Sequence, residues 1–331
     1  MSNRMRKALS SPERRTPNPD EPYVPEAGSE PFPGYRLLRL RGRGGFATVW
    51  EASSPSGEQV ALKFMSSGNS TSTAREVRSL QAIQKLDHPN LLRIRDVWSV
   101  PGNIVIAMDL ADASLLDLFL LYAEEFQTPV EPNKVCLYLY KTAQALDHLN
   151  AHKHTFDGRT VGFQHGDIKP NNILLIRDEP KLADYGLATP MNGATTPCPR
   201  QGTIEYAAPE VFQGTLTDSS DQFSLAVTYY LLRTGAFPFP PPPRVPGRSY
   251  IRPGPDLGLL SAEEQPVLLR ALSPVPQNRF PTCTEMMSQL LKALKLEIVQ
   301  DPIIGMVVQP AAPPTMTRSQ LIRAIRVDAG K

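Results

Sequence analysis

The apolar positions of the chain change period twice, and each change predicts a change of structure. Residues 1–33 have no period; Pro, Ser, Glu and Arg dominate, too polar to bury the surface that folding needs, which predicts a disordered tail. From Tyr35, the stretch YRLLRLRGRGGFATVWEASSPSGEQVALKFM alternates apolar and polar residues, broken by glycines and by SPSGE. That pattern predicts three short antiparallel strands. STAREVRSLQAIQKL then shifts to helical spacing through Val77, Leu80, Ile83 and Leu86, with Ser and Thr available to cap it. LLRIRDVWSV and NIVIAMDLA read as two more strands around a turn at Pro101 and Gly102.

Beyond Ala111 the helical period takes over. NKVCLYLYKTAQALDHLNAH places Val135, Leu139, Thr142, Ala143 and Leu146 along one face. SDQFSLAVTYYLLRTG is apolar nearly all round, which predicts a buried helix closed by Gly235. SAEEQPVLLRALS and CTEMMSQLLKALKLEI read as later helices. A β-rich part followed by a helical part predicts an α+β chain.

Composition excludes several classes. The 331 residues suit one large domain or two lobes. Lys and Arg number 35 against 33 Asp and Glu, and a net charge of +2 gives no electrostatic case for nucleic-acid binding. No run of eighteen apolar residues exists, so no membrane span is expected. Arg4, Arg6, Lys7, Arg14 and Arg15 precede no apolar stretch, unlike a secretory signal. Three cysteines without CxxC spacing read as reduced thiols of a cytoplasmic protein. Of 34 prolines, seven lie in residues 1–33 and eight in 237–255, so the excess is local. FPFPPPPRVPG within the second stretch reads as a stiff spacer, with a partner-docking polyproline surface over residues 237–246 as the competing reading.

The chemistry concentrates in FQHGDIKPNNILLI (163–176) and KLADYGLA (181–188). Carboxylates and a carboxamide converging from two loops suit Mg²⁺, which takes hard oxygen ligands and phosphate. With VALK at 60–63, GRGGFATV at 42–49 and GTIEYAAPE at 202–210, the chain resembles the eukaryotic-like (Hanks-type) serine/threonine protein kinases, particularly the bacterial ones, over residues 34–298. The resemblance implies a bilobal fold with a β-rich N-lobe (34–110), a helical C-lobe (111–298) and a C-terminal tail (299–331).

It also implies roles. Asp167 matches the catalytic base, Lys169 the lysine that steadies the γ-phosphate, and Asn172 and Asp184 the ligands of Mg²⁺ (or Mn²⁺). Lys63 matches the lysine on the α- and β-phosphates, paired with a helix glutamate. Between Lys63 and His88 the acidic residues are Glu76 and Asp87; Asp87 lies in the DHPN turn, which leaves Glu76, about one turn further from HPN than is usual. The ATP cradle is assigned to Arg41, Gly42, Gly44, Gly45, Phe46, Ala47 (where the family has a third glycine) and Val49. Ala61 and Leu174 would join Val49 around the adenine, Met108 is at the gatekeeper position, and Asp109, Leu110 and Ala111 form the hinge. Thr203 would bond near Asp167 and Lys169, Glu210 would pair with Arg279, and Asp221 would tie the catalytic loop to the central helix.

All of Lys63, Asp167, Asn172 and Asp184 are present, which favours an active enzyme on protein substrates over a nucleotide-binding pseudokinase scaffold. GTIEYAAPE, a peptide-docking shelf by resemblance, disfavours a small-molecule phosphotransferase. Two departures stand out. Gly166 replaces the arginine that usually meets an activation-segment phosphate, which predicts that phosphorylation of Thr189, Thr195 or Thr196 is not strictly needed. Tyr185 replaces a phenylalanine and keeps the ring. His148 and His152 have the i, i+4 spacing of zinc ligands, but no cysteine or HExxH glutamate accompanies them, so the expectation is a helix end and a polar loop. Leu321, Ile322 and Ile325 interleave with Arg318, Arg323 and Arg326, as a short amphipathic helix or a frayed tail.

Overall fold

The computed structural model describes residues 23–44, 47–66, 70–198, 202–243, 247, 250–301 and 305–310. The chain folds as two compact units: residues 1–77 with 95–108, and residues 78–94 with 109–331. The architecture is α+β, as the period changes predict, and bilobal, as the resemblance implies.

The first unit is built on a sheet of β1 (Arg36–Arg43), β2 (Ala47–Ser53), β3 (Gln59–Ser66), β4 (Ile94–Val100) and β5 (Asn103–Asp109), in the order β1-β2-β3-β5-β4. Alternation sends Leu37, Trp50, Ala52, Val60, Leu62, Phe64, Val105 and Ala107 into one core. The register of β1 on β2 slips between Leu37 and Arg39 and again between Leu40 and Gly42. Leu38 and Leu40 stay exposed. Helix α1 (Ser70–Gln84) follows the sheet's third strand.

The tail expected over residues 1–33 is corrected for residues 23–33. Tyr23 stacks on Phe64 at 5.8 Å, and its N–H donates to the Pro101 carbonyl at 2.8 Å. Phe32 packs on Trp98 at 4.8 Å, while Leu37 N–H donates to Ser29 O at 2.9 Å. Residues 1–22 lie outside the described residues.

The second unit starts with β6 (Ala113–Ser114) and α2 (Leu115–Leu121), capped by Ser114 and Asp117 in a reciprocal box. Helix α3 (Pro132–Leu149) buries the predicted face and packs on the later α5 (Ser220–Thr234) and α7 (Cys283–Ala293). Its Asp147 accepts the first amides of α7, from Cys283 at 2.8 Å and Thr284 at 2.9 Å, where a helix start needs an acceptor. Helix α5 is buried over nearly its whole length and ends at Gly235, as its all-round apolar sequence predicts. Between α5 and α7, α6 (Gln265–Ala271) starts later than its sequence suggests, with Pro266 in its first turn.

Two expectations fail here. The polar loop before the catalytic loop is a hairpin, β7 (His154–Phe156) with β8 (Arg159–Gln164). His152 lies beyond the end of α3 at φ +48° and meets Asp218 at 3.0 Å, so His148 and His152 share no helix face. Among the described residues no cluster of three or more His, Cys, Asp or Glu could hold a metal. The helix expected to run to Ile298 stops at Ala293, and Lys295 turns left-handed at φ +56°. β14 (Leu296–Asp301) then pairs with β15 (Gly305–Pro310), so the C-terminal tail is not all unstructured. Residues 311–331, including the amphipathic pattern at 318–326, lie outside the described residues.

Candidate active site

The polar cluster of the second unit is hung from a buried helix. Where β8 ends at Gln164, the next two amides, of His165 and Gly166, donate to Asp221 Oδ2 at 2.6 Å and Oδ1 at 2.9 Å. Asp221 sits in the first turn of α5, and its own N–H donates back to Gln164 Oε1 at 3.1 Å. Burial pushes the Asp221 carboxyl up, only partly offset by His165 and the two amides. Gly166 turns the chain at φ +79°, a conformation that suits glycine where an arginine is usual.

Asp167 follows at the centre. Its Oδ2 accepts from Lys169 Nζ at 2.7 Å and Asn172 Nδ2 at 2.9 Å. Its Oδ1 accepts from the Thr203 N–H at 2.9 Å and the Thr203 hydroxyl at 2.8 Å. Lys169 Nζ also donates to Thr203 Oγ1 at 2.6 Å. Burial would raise the Asp167 carboxyl, but Lys169 and then Thr203 outweigh it, and the net shift is downward from 3.8. The carboxylate is therefore ionised at neutral pH.

Asn172 Nδ2 donates to both Oδ2 and the main-chain oxygen of Asp167, which leaves its carboxamide oxygen for another partner. The Asn172 carbonyl accepts from the Ala183 N–H at 2.9 Å and so fixes the start of the second motif. Asp184 next to it is half-buried and left-handed, at φ +67° and ψ +66°. Tyr185 anchors the segment: its hydroxyl donates to Leu182 O at 2.6 Å, and its ring meets His165 edge-on at 5.7 Å. The hydroxyl thus adds a bond that phenylalanine lacks. Asn172 and Asp184 supply hard oxygen donors of the kind a divalent cation takes, so the residues present fit such an ion.

In the first unit, β2 and β3 pair Val49 with Lys63 and Glu51 with Ala61, so these four share one face of the sheet. Ala61 and Met108 are buried, while Val49 and Lys63 are half-buried. Gly44 N–H donates to Ala47 O at 2.8 Å and closes the glycine turn between β1 and β2. Gly42 pairs with Val49. Arg41, assigned to the nucleotide by resemblance, has its guanidinium 3.4 Å from the buried Glu51. Glu76 is on α1 as expected, but its side chain, like Gly45 and Phe46, lies outside the described residues. In the second unit Asp109 N–H donates to Arg93 O at 3.3 Å, and Ala111 and Leu174 are half-buried, with Leu174 on β9 (Ile173–Ile176).

Glu210, on α4 (Pro209–Phe212), and Arg279 form the expected pair, with two bonds of 2.7 and 2.8 Å between buried side chains. Ser220 adds a bond to Glu210 at 2.8 Å, and Arg279 donates to Ser219 O at 3.0 Å. Sequence reasoning misses Gly202, Gln164 and Arg252. Gly202, beside Thr203, carries a visible signal as a glycine; the other two act through contacts distant in sequence.

The activation segment is held by main chain. Its β11 (Thr189–Met191) pairs with β8, and its β12 (Thr195–Pro197) pairs with β13 (Thr215–Thr217). Ladder bonds of this kind need no phosphate. We expect the Thr195→Ala/Thr196→Ala variant to keep its phosphotransfer rate within about fivefold. Steady-state kinetics check this, and a hundredfold loss would contradict it.

A β-rich unit followed by a helical one, with an Asp-Lys-Asn-Asp network on the loops of the second, defines a protein of the bilobal kinase class. A profile described as protein kinase domain matches residues 35–294, and the chain belongs to that family. It is similar to the serine/threonine-protein kinase PknF of Mycobacterium tuberculosis (strain ATCC 25618 / H37Rv), 30% identical over 318 residues, or 91% of this chain and 64% of the relative. PknJ of Mycobacterium bovis (strain ATCC BAA-935 / AF2122/97) is 31% identical over 282 residues, covering 77% and 44%. PknD of M. tuberculosis (strain ATCC 25618 / H37Rv) is 33% identical over 224 residues, covering 65% and 32%. The chain thus spans at most 64% of the length of these curated relatives.

Proposed function

We propose that the protein transfers the γ-phosphoryl group of ATP to serine and threonine hydroxyls of protein substrates. The observation that carries this reading is the saturated Asp167 carboxylate. Lys169, Asn172 and both donors of Thr203 fix it, ionised, in one orientation. A carboxylate so held orients an incoming hydroxyl and accepts its proton late in a loose transfer, where positioning outweighs basicity. Lys169 Nζ lies 2.7 Å from Asp167 Oδ2 and is assigned the charge that develops on the moving group. Lys63 in the first unit is assigned the α- and β-phosphates, with Glu76 its partner. Val49, Ala61, Met108, Asp109, Ala111 and Leu174 are assigned the adenine, and the turn at 42–47 the phosphates.

Asn172 and Asp184 would hold a divalent cation, Mg²⁺ in our reading with Mn²⁺ as substitute, which when bound neutralises phosphate charge. Presence of the whole Lys63, Asp167, Asn172 and Asp184 set supports an enzyme rather than a scaffold. We place it in the cytoplasm, where its co-substrate ATP is supplied and where cysteines without a disulfide framework stay reduced. Of the proline segment, Pro238 and Phe239 are buried, which leaves the exposed Pro240, Pro241 and Pro243 for any docking partner; residues 244–246 lie outside the described residues.

The test is radiolabelled ATP with a generic protein substrate. Asp167→Asn keeps the shape but loses the proton acceptor and one charge partner of Lys169, and we expect at least about a 100-fold loss of transfer. Equal signal from wild type and variant would refute the reading.

A further inference from the structure

The proline-rich stretch after α5 returns across the segment that follows Thr203. Pro238 O accepts from the Asp256 N–H at 2.8 Å and ties together the two ends of a strap described at residues 238–243, 247 and 250–256. Its aromatic residues lie against the helical core: Phe239 stacks on Phe223 at 5.7 Å with 10° between planes, and Tyr250 meets Phe212 edge-on at 5.2 Å. Phe237, just before the strap, meets Tyr206 edge-on at 5.3 Å.

Arg252 is the one charged side chain that the strap buries among the described residues; only 7% of it is exposed. Its guanidinium lies 4.7 Å from the Phe239 ring centre, 5.2 Å from that of Phe212 and 5.8 Å from that of Phe223. Among the described residues it forms no ion pair with a carboxylate. Nη2 instead donates to the carbonyls of Ile204 at 2.7 Å and Ala207 at 3.1 Å, while Nε is buried without a partner. Burial draws its pKa down to about 10, against weaker opposing effects of Tyr250 and Glu205.

Burying a guanidinium without an acid is costly, so its partners matter. They are the carbonyls of the turn that begins at Thr203. Thr203 O already accepts from the Tyr206 and Ala207 amides, and Tyr206 O accepts from Ser224 Oγ at 3.0 Å. Arg252 therefore completes the acceptors of a turn whose first residue holds Asp167 and whose remainder is assigned to peptide docking.

We propose that Arg252 is a positioning residue for the protein substrate: through the Ile204 and Ala207 carbonyls it fixes the shape of the 203–207 turn against which the acceptor peptide lies. This rests on the kinase reading above and adds to it the residue that shapes its peptide side. The strap is then a brace for substrate docking, and only its exposed prolines serve as spacer. Lysine is a poor replacement for Arg252, because a compact, strongly hydrated ammonium cannot lay a planar face on the three rings of the aromatic cage.

The experiment uses the full chain as wild type, Arg252→Lys and Arg252→Gln, with a serine/threonine peptide library randomised on both sides of the acceptor. Metal-dependent ATP hydrolysis without peptide and the KM for ATP are measured in parallel. We expect the peptide KM to rise at least about tenfold in both variants and the flanking-residue preferences to flatten. The KM for ATP and the hydrolysis rate should stay within about twofold of wild type. Unchanged peptide KM and preferences in both variants would overturn the proposal. So would a parallel loss in ATP KM and hydrolysis, which marks a merely structural role. A wild type that hydrolyses ATP but labels no peptide would overturn the kinase reading, and this proposal with it.

Discussion

Gly202→Ala is expected to lose phosphotransfer to protein by about 100-fold or more while binding ATP as the wild type does. Gly202 has φ +95°, a conformation that costs an alanine roughly 1–3 kcal/mol. Space is the stricter limit. A Cβ on Gly202 would meet the Gly166 carbonyl oxygen at 2.7 Å. That oxygen is main chain, and the Gly166 N–H is itself tied to Asp221, so it cannot yield cheaply. Residues 202 and 203 must move instead. Thr203 then carries both its N–H and its hydroxyl off Asp167 Oδ1, and its oxygen off Lys169. A displacement of about 1 Å in groups that orient a reacting atom is enough for a hundredfold loss. ATP binding is the control, since neither Gly202 nor Thr203 is among the residues assigned to the adenine or to the α- and β-phosphates. Variant turnover within fivefold of wild type would show that Thr203 does not orient Asp167. Gly202→Ser, with the same Cβ, should fail equally; its hydroxyl offers no relief from a main-chain clash.

The catalytic loop is legible in the sequence because its chemistry leaves little freedom. Asp167, Lys169 and Asn172 must reach one another from a single turn, so their spacing is fixed, and the structure brings them within 2.9 Å. Glu210 with Arg279 is legible by resemblance, although 69 residues separate them. Long apolar helices such as α5 are legible from period alone. Elsewhere local pattern competes with distant contacts and loses. Tyr23 and Phe32 are single aromatic anchors in a polar stretch, and their burial depends on Phe64 and Trp98, which composition cannot reveal. The strand at Leu296 continues a helical pattern on paper and becomes a strand through its partner at 305–310. The hairpin at 154–164 does carry a local sign, Asp157-Gly158 between two short alternating stretches. Arg252 carries none; an arginine between an isoleucine and a proline looks like any exposed loop residue until its aromatic cage is assembled.

Arg279→Met is expected to destabilise the protein by about 3–5 kcal/mol at pH 7, because it leaves Glu210 buried and charged without its partner. Arg279 and Glu210 are only 3% and 6% exposed, so water cannot stand in. For a domain of this size the melting temperature should fall by roughly 2–4 °C for each kcal/mol. The lost bond to Ser219 O lies at the N-terminal end of α5, so the Asp221 anchor of the catalytic loop loosens as well. A Glu210→Leu/Arg279→Met double variant should recover much of the loss, since an apolar pair replaces the orphaned charge. The pH response fixes the cause. In the wild type burial raises the Glu210 carboxyl, Arg279 outweighs it, and the net shift is downward from 4.5. The pair's contribution is therefore complete above pH 4.5 and lost as pH falls through the lower folded value. In Arg279→Met burial acts with less opposition and the carboxyl rises, so protonation relieves the variant before it harms the wild type. The stability gap measured by urea unfolding should thus narrow between pH 7 and pH 5. A gap under about 1 kcal/mol at pH 7 would assign the pair the weight of an exposed ion pair. A gap that fails to narrow would place the damage in packing rather than in the buried charge.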